Sequence, residues 1–333
     1  MIAFVLSRLL QSAVVMVAVA VIAFFLFRYV GDPVLAMTGQ ETSREDQERL
    51  RTQLGLNDPL VVQVFRFLGR GVSGDFGISY RQRRPVTEML VERLPATLEL
   101  SVVSALFALA VGIPMGVYSA LRRDTWLSRV FQVVSLIGIS LPPFLVGILL
   151  IFVFAVLLGW LPSSGRGEVV SLGWWTTGFL TLSGLQALLL PALTLGLYQM
   201  TLLMRLVRSE MLEVLRTDYV KFARARGLTD RTVHFGHALR NTLVPVITVT
   251  ALQLGSVIAF AVITETVFQW PGMGYQFIQA VASVDVPVMA AYLVMVGFIF
   301  VTINLSADLL YYGVDPRLRL ERTVIGGQAD RGA

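Results

Sequence analysis

The chain has 333 residues, of which 55% are hydrophobic and only 15% are charged, and it contains no cysteine. This composition is typical of membrane proteins and not of globular ones. The lack of cysteine excludes disulfides, zinc–thiolate sites and thiol catalysis. The 27 basic residues exceed the 22 acidic ones by five. We interpret this excess as a determinant of membrane topology and expect no nucleic-acid partner.

Long stretches without any charge follow one another along the chain. A helix needs about 20 apolar residues to cross a bilayer, because its backbone groups must be hydrogen-bonded internally. Two uncharged runs, 130–165 and 169–204, are longer than one span requires, and four others have about the length of one span. We therefore predict an all-α, polytopic integral membrane protein with six transmembrane helices. The four shorter runs are 9–27, 100–121, 241–264 and 286–307.

The two longest runs contain turn-forming and interfacial residues, so each holds one helix and a loop. The first predicts a helix over 129–158 that bends at Pro142-Pro143, where two amide donors are missing. The second begins with small residues and the pair Trp174-Trp175, which suit a membrane interface, and it predicts a helix over 186–206.

The distribution of arginine and lysine predicts the orientation. The loop 122–129 carries three such residues and 205–240 carries eight, whereas 159–185 carries one and 265–285 none. The positive-inside rule places the first two loops and both termini in the cytoplasm. The segment 31–98 then lies outside the membrane.

We divide the chain into four parts. Residues 1–30 form an N-terminal segment with a retained first span, because the apolar run continues past its signal-peptide-like stretch. Residues 31–98 form an extracytoplasmic cap, either a structural lid or a docking or gating surface. Residues 99–312 form a five-span core with a cytoplasmic loop at 205–241, and 313–333 form a cytoplasmic tail.

Two helices are predicted in the extracytoplasmic part. Ser43 is a suitable N-cap for a helix that stops before Gly55. Asp58-Pro59 starts an amphipathic second helix, and the glycines from Gly69 onward predict a loop.

The cytoplasmic loop predicts two short helices separated by a glycine. Thr217 or Asp218 can cap the first helix, Gly227 can end it in a left-handed turn, and Thr229 can cap the second. Apolar anchors at Tyr219 and Phe222, beside two small alanines, are typical of a helix that lies in a partner's groove.

The loop motifs resemble those of ATP-binding-cassette (ABC) importer permeases of the dipeptide, oligopeptide and nickel group, specifically the first of their two permease subunits. In the general importer pattern the loop starts Glu-Ala-Ala, whereas this chain has Lys221-Phe222-Ala223, and Pro245 lies further from the glycine. The loop matches are Asp218-Tyr219-Val220, Ala223 to Leu228, and His237 to Asn241. Further matches are Gly31-Asp32-Pro33, Leu54 to Leu60, Gly74 to Ser79, Thr97 to Leu100, Glu265 to Phe268, Trp270 to Gly274, Asp285-Val286-Pro287 and Asp315-Pro316-Arg317.

The resemblance implies an ABC type I importer permease fold in the bacterial cytoplasmic membrane. It implies a second, non-identical permease subunit, two cytoplasmic ATPase subunits, an external solute-binding protein and contact with membrane lipid. Peptides are the implied solute, although nickel, glutathione and sugars are carried by the same group. The residues implied to couple to the ATPase are Tyr219, Phe222, Ala223, Arg224, Ala225, Gly227, His237, Arg240 and Asn241.

The chain has no ATPase motif of its own. A phosphate-binding P-loop needs Gly-Lys followed by Ser or Thr, but the only lysine, Lys221, lies between Val220 and Phe222. We expect no cofactor in this chain, with ATP and Mg²⁺ on the partner subunits. Nor does it contain an enzyme's reactive constellation, and His234 with His237 lacks the further ligand that a metal site needs.

Neutral polar residues in the spans predict a translocation path through Gln199, Gln253 and Asn304, although Asn304 could instead bond a neighbouring helix. An alternative function is a stand-alone secondary carrier or channel driven by an ion gradient. Such a carrier more often has a carboxylate in the middle of a span, whereas the acidic residues here lie at the predicted span ends. Whether uptake requires ATP or a gradient separates the two.

Overall fold

The computed structural model describes residues 2–28, 34, 43–53 and 55–314, which are mostly helical. The helices are α1 Ile2–Arg28, α2 Arg44–Gln53, α3 Leu60–Val72, α4 Val86–Leu121, α5 Trp126–Ser140, α6 Pro143–Leu150, α7 Leu182–Val214, α8 Asp218–Ala225, α9 Leu239–Val267, α10 Met273–Ala282 and α11 Val286–Val314. A π-helical turn, Ile151–Leu157, continues α6, and another, Thr232–Ala238, leads into α9. The antiparallel strands β1 Val170–Leu172 and β2 Trp175–Thr177 form a hairpin.

Among the residues that the structure describes, four helices are long and apolar enough to cross a membrane: Val5–Leu26 within α1, all of α4, all of α7, and Val286–Leu309 within α11. Helices α5 and α6 make a fifth span if the broken pair is counted as one. Helix α9 contains a shorter apolar segment, Gly255–Val267. The predicted multi-pass membrane protein is therefore confirmed, while the count of six spans stays a prediction.

The helix predicted over 129–158 is broken and not merely bent. Helix α5 ends at Ser140, α6 starts at Pro143, and the two are bent by 111°. Leu141 and Pro142 both precede a proline, which disfavours the helical conformation, and both are extended, with ψ of 132° and 137°. The position of the break was predictable from the two prolines, but its size was not.

The segment between α1 and α4 follows its predicted capping signals. The Ser43 hydroxyl accepts a hydrogen bond from the Asp46 amide at the start of α2, and Gly55 has a φ of +66°. Helix α3 runs through Gly69 to Val72, so the predicted loop begins later than expected. The matches at Gly31-Asp32-Pro33, Leu54 and Asp315-Pro316-Arg317, and the tail beyond Val314, lie outside the described residues. We call the end of the bundle that carries α2 and α3 the outer end.

Close backbone contact joins α4 to α7. A Cβ atom on Gly112 would lie 2.9 Å from the Met200 carbonyl oxygen, and one on Gly116 would lie 2.7 Å from that of Met204. Small residues at this spacing let two helices approach closely in a membrane, where dispersion contacts replace the hydrophobic effect. Met200, Met204 and Val207 lie in the largest cluster of buried apolar residues that the structure describes.

A buried ion pair fastens the hairpin to the outer end of α4. The Arg166 guanidinium donates to the Glu99 carboxylate at 2.6 Å, with 6% and 2% of the two side chains exposed. Trp175 donates its indole N–H to the same carboxylate at 3.3 Å, and Arg166 also donates to the Thr176 carbonyl at 2.7 Å. In the sequence, Arg166 is only one of the basic residues that predict membrane topology. In the structure it forms an ion pair with Glu99, which lies at the end of a predicted span.

A second buried carboxylate holds the start of α10. Glu265, at the outer end of α9, accepts hydrogen bonds from the Thr97 hydroxyl at 2.6 Å and from the Tyr275 amide at 2.9 Å. The Met273 amide donates to the same threonine oxygen at 2.8 Å. A carboxylate is favoured at a helix N-terminus, where amide groups lack intrahelical partners. Any side chain on Gly272 would overlap this carboxylate.

Breaking the Glu99–Arg166 pair should destabilise the protein strongly. Glu99→Ala leaves the Arg166 charge buried without its partner, and we expect a loss of about 3–5 kcal/mol in the free energy of unfolding. The control is Arg66→Ala, which removes the 2.6 Å pair with Asp58, half exposed on both sides, and should cost about 0–1 kcal/mol. Denaturant titration in mixed micelles measures both. Equal losses in the two variants would contradict the structural role of Glu99.

Candidate coupling loop and translocation path

Helix α8 starts and ends where predicted, but the predicted side-chain cap is absent: Thr217 makes no cap hydrogen bond, and its hydroxyl donates to the Val214 carbonyl at 2.6 Å instead. Thr217 has the extended conformation of a residue that precedes a helix, with φ −68° and ψ 153°. Gly227 follows the helix with a φ of +78°, a conformation that glycine adopts without steric cost. No heavy atom lies within 4 Å of the position of a Cβ on this residue. The turn therefore depends on backbone freedom and not on a lack of space.

The second helix of the loop differs from the prediction. Thr229 precedes it, and the Thr232 amide donates to the Thr229 hydroxyl at 3.4 Å, but the π-helical turn at Thr232–Ala238 passes directly into α9. No proline occurs between Thr229 and Pro245, and Gly236 lies within the turn without ending it, so the helix continues. The loop therefore contains one short helix, α8, and a π-helical turn that forms the first part of the long helix α9.

The loop has its own small apolar core. Val220 and Ala223 of α8 pack against Val233 of the π-helical turn, and all three are buried. Only 7% of Ala223 is exposed. This position was expected to let a partner approach, but its surface is taken up by contacts inside the loop. Ala223 therefore helps to fix the position of α8 against the π-helical turn.

Polar contacts join α8 to the base of α9. The Asn241 side-chain amide donates to the Tyr219 hydroxyl at 2.7 Å. Arg224 lies 3.4 Å from a His234 ring nitrogen and 3.9 Å from Asp230. Within α8, the ammonium of Lys221 bonds the Asp218 carboxylate at 2.8 Å and lowers the pKa of that carboxyl, first through the hydrogen bond and then through its charge.

The loop presents an apolar surface to the solvent. We call Tyr219, Phe222, Leu228 and Phe235, which are between 40% and 63% exposed, the loop patch. Tyr219 and Phe222 were predicted as contact residues, whereas Leu228 and Phe235 were not. Their large apolar side chains in a loop otherwise rich in charge could have indicated that they belong to the same surface. The other predicted coupling residues are also exposed: Arg224, Ala225, Gly227, His237, Arg240 and Asn241.

Two of the three predicted path residues meet. Gln199 of α7 and Gln253 of α9 line one cavity of about 10 Å³ between these helices and α4, which is room for about one water molecule. Asn304 lies on α11 and does not line this cavity, and its Oδ1 atom is buried without a hydrogen-bond partner among the residues described. The other lining residues are Ala105, Ala108, Leu203, Thr250 and Val257, all neutral.

Two family models together match most of the chain. Residues 112–320 match the model described as "Binding-protein-dependent transport system inner membrane component", and residues 1–101 match the model of the N-terminal part of such components. The chain belongs to this family. The oligopeptide transport system permease protein AppB of Bacillus subtilis is 39% identical over 320 residues, which cover 96% of this chain and 99% of that protein. The dipeptide transport system permease protein DppB of Alkalihalophilus pseudofirmus is 35% identical over 336 residues, which cover 96% and 100%.

The fold is shared with a known ABC transporter. The inward-facing MetNI methionine ABC transporter contains a chain that is similar over 68% of this chain and 96% of its own length, with a TM-score of 0.54 and 20% identity. At this identity the likeness concerns the fold alone. With the family and its relatives, it confirms the resemblance seen in the loop motifs. This family member is a permease subunit of an ABC importer, in the inner membrane.

Proposed function

We propose that this permease imports di- or oligopeptides, with one non-identical permease subunit as its partner and two cytoplasmic subunits that hydrolyse ATP. The relatives' names support the solute class, and the family's name supports dependence on a binding protein. ATP and Mg²⁺ are bound by the partner subunits, because this chain has no P-loop. The proposal includes six spans and cytoplasmic termini, supported by the arginine distribution.

One observation supports ATP-driven coupling above the others: a single helix joins the proposed ATPase contact to the proposed path. The base of α9 bonds α8 through Asn241, its middle carries Gln253, and its outer end carries Glu265. At 1.5 Å per residue, Asn241 and Gln253 are about 18 Å apart along the helix axis. A displacement at the loop patch therefore reaches the cavity through a continuous helix.

The proposed cycle uses this connection. Closure of the ATPase subunits on ATP moves the loop patch, α8 follows, and α9 shifts relative to α4 and α7. The cavity between the three helices changes shape, and access to the path alternates between the two sides. Only a difference in contact free energy between the two states can drive such a switch. The neutral lining suits amide-rich solutes, because glutamine side chains can both donate to and accept from a peptide group.

Gly227→Asp should uncouple ATP hydrolysis from transport. A side chain at a φ of +78° costs about 1 kcal/mol or more and distorts the junction between α8 and the helix that follows. We expect normal insertion and ATPase association, with peptide uptake per ATP hydrolysed lowered several-fold in proteoliposomes. The matched control is Gly74→Asp in the extracytoplasmic part, where φ is +73° and the space is equally open. Wild-type coupling in the Gly227 variant would refute the role of this turn.

Phe222→Ala should weaken binding of the ATPase subunits. Phe222 is the most exposed residue of the loop patch, at 63%, and loss of an aromatic hot-spot residue at an interface costs about 2 kcal/mol or more. We expect the dissociation constant of the ATPase subunits to rise at least about ten-fold by surface plasmon resonance. The control is Phe65→Ala on α3, an aromatic residue exposed to a similar extent, 68%, at the outer end. Equal affinities for both variants would exclude docking at Phe222.

Gln253→Leu should slow transport without affecting assembly. The substitution removes hydrogen-bonding groups from the cavity at similar side-chain size. We expect a lower maximal rate of peptide uptake at unchanged ATPase association. The control is Gln132→Leu on α5, whose side chain bonds Ser128 of its own helix and does not line the cavity. Unaltered peptide uptake by the Gln253 variant would show that this cavity is not part of the path. Uptake by the wild-type protein that requires an ion gradient instead of ATP would favour the alternative function, a secondary carrier.

A further inference from the structure

A third buried carboxylate lies at the junction of α10 and α11. Asp285 is 3% exposed and accepts hydrogen bonds from three consecutive residues of the extracytoplasmic part. The donors are the Ser79 hydroxyl at 2.5 Å, the Tyr80 amide at 3.1 Å and the Arg81 amide at 3.4 Å. These contacts join parts of the chain more than 200 residues apart and fix the segment that enters α4.

The segment held by Asp285 is itself a tightly bonded turn, residues 79–84, which we call the outer turn. The Ser79 amide donates to the Arg84 carbonyl at 3.0 Å, and the Arg83 amide donates to the Ser79 carbonyl at 3.0 Å. The Gln82 amide donates to the Ser79 hydroxyl at 3.0 Å. Flanking it, Ile78 and Pro85 form an antiparallel bridge. The tip of the turn therefore has a defined conformation.

Backbone strain occurs on both sides of this contact. Arg83 has a φ of 54° and Val284, next to Asp285, has a φ of 55°. Left-handed conformations are uncommon for residues other than glycine and are outliers for a β-branched side chain. Such conformations persist only where the surroundings over-determine them, and they cluster at functional sites.

The outer turn presents unpaired positive charge. Arg81, Gln82, Arg83 and Arg84 are consecutive and exposed. Arg84 pairs with Glu92 at 2.6 Å, whereas Arg81 and Arg83 have no acidic partner within 4 Å in the described part of the chain. Burial, followed by the nearby Asp285 charge, raises the pKa of Tyr80 to about 12. This phenol therefore remains neutral and does not offset the two arginines.

We infer that the outer turn is a docking site for an acidic surface patch of the solute-binding protein, with Arg81 and Arg83 as its charged contacts. This inference rests on the proposed function, in which a binding protein delivers the solute from the outer side. Arginine suits such a contact because its planar fork can bond a carboxylate through two donors. A rigid turn also loses little conformational entropy when a partner binds.

A protein surface fits the outer turn better than lipid headgroups do. Basic sites at a membrane surface usually combine arginine with exposed aromatic or large apolar side chains. The four exposed residues 81–84 are all polar, and the one large apolar residue exposed beside them is Ile78.

The test uses the assembled transporter in nanodiscs and the solute-binding protein of the same system. We expect Arg81→Glu/Arg83→Glu to raise the dissociation constant of that protein at least ten-fold and to abolish its dependence on salt. ATP hydrolysis at saturating binding protein should remain near the wild-type rate. The matched control is Arg70→Glu, an exposed arginine on α3 that forms no ion pair within the described part of the chain, and this variant should bind within two-fold of wild type.

Three outcomes would overturn the inference or the function beneath it. If the binding protein stimulates ATP hydrolysis by the wild-type transporter but binds the double variant and Arg70→Glu with equal affinity, only the role of the outer turn is rejected. If the binding protein does not stimulate ATP hydrolysis by the wild-type transporter, the proposed function is rejected. A ten-fold loss that disappears when anionic lipid is replaced by phosphatidylcholine would assign the turn to lipid headgroups.

Conservative variants keep the test decisive if the charge reversal prevents assembly. Arg81→Lys/Arg83→Lys retains both charges and should retain the salt dependence with a modest loss of affinity. Arg81→Gln/Arg83→Gln removes them and should bind several-fold more weakly. Identical affinities for the lysine and glutamine variants would contradict charge-mediated docking.

Discussion

Buried carboxylates determine the outer end of this permease, because an uncompensated charge in a low-dielectric interior is very costly. Glu99 is compensated by an arginine and an indole, whereas Glu265 and Asp285 are bonded by hydroxyl and amide donors. Each carboxylate therefore requires a particular segment to lie against it: the hairpin, the start of α10 and the outer turn. The outer ends of α4, α9 and α11 are joined into one layer by these requirements.

The opposite end of α9 is held less firmly. There, three small apolar residues form the loop core, and an exposed Tyr219–Asn241 hydrogen bond joins α8 to the helix. The π-helical turn and Pro245 also interrupt the regular hydrogen-bond ladder near this end. Regions with few buried contacts open at low free-energy cost. In the proposed cycle, α9 would therefore pivot about its fixed outer end when its inner end is displaced together with the loop.

Features that depend on local chemistry could be predicted from the sequence, and features that depend on distant pairing could not. Runs without charge located the membrane helices, Gly227 located the left-handed turn, and Pro142-Pro143 located the helix break. By contrast, nothing in one sequence pairs Arg166 with Glu99, or Ser79 with Asp285 some 206 residues away. The prediction of a separate second loop helix was wrong, because Thr229 is a start signal but no proline follows it before Pro245, so the helix runs on into α9.

In the proposed cycle, the packing around the cavity indicates which helix moves. Helices α4 and α7 meet backbone to backbone at Gly112 and Gly116, so they cannot separate without losing many close contacts at once. Helix α9 completes the cavity with Thr250, Gln253 and Val257. The contact between α9 and α7 is less extensive than the contact between α4 and α7. In the proposed cycle, this space, which has room for about one water molecule, has to widen into a passage, and that is least costly if α9 withdraws. The same helix continues directly from the π-helical turn of the 205–241 loop.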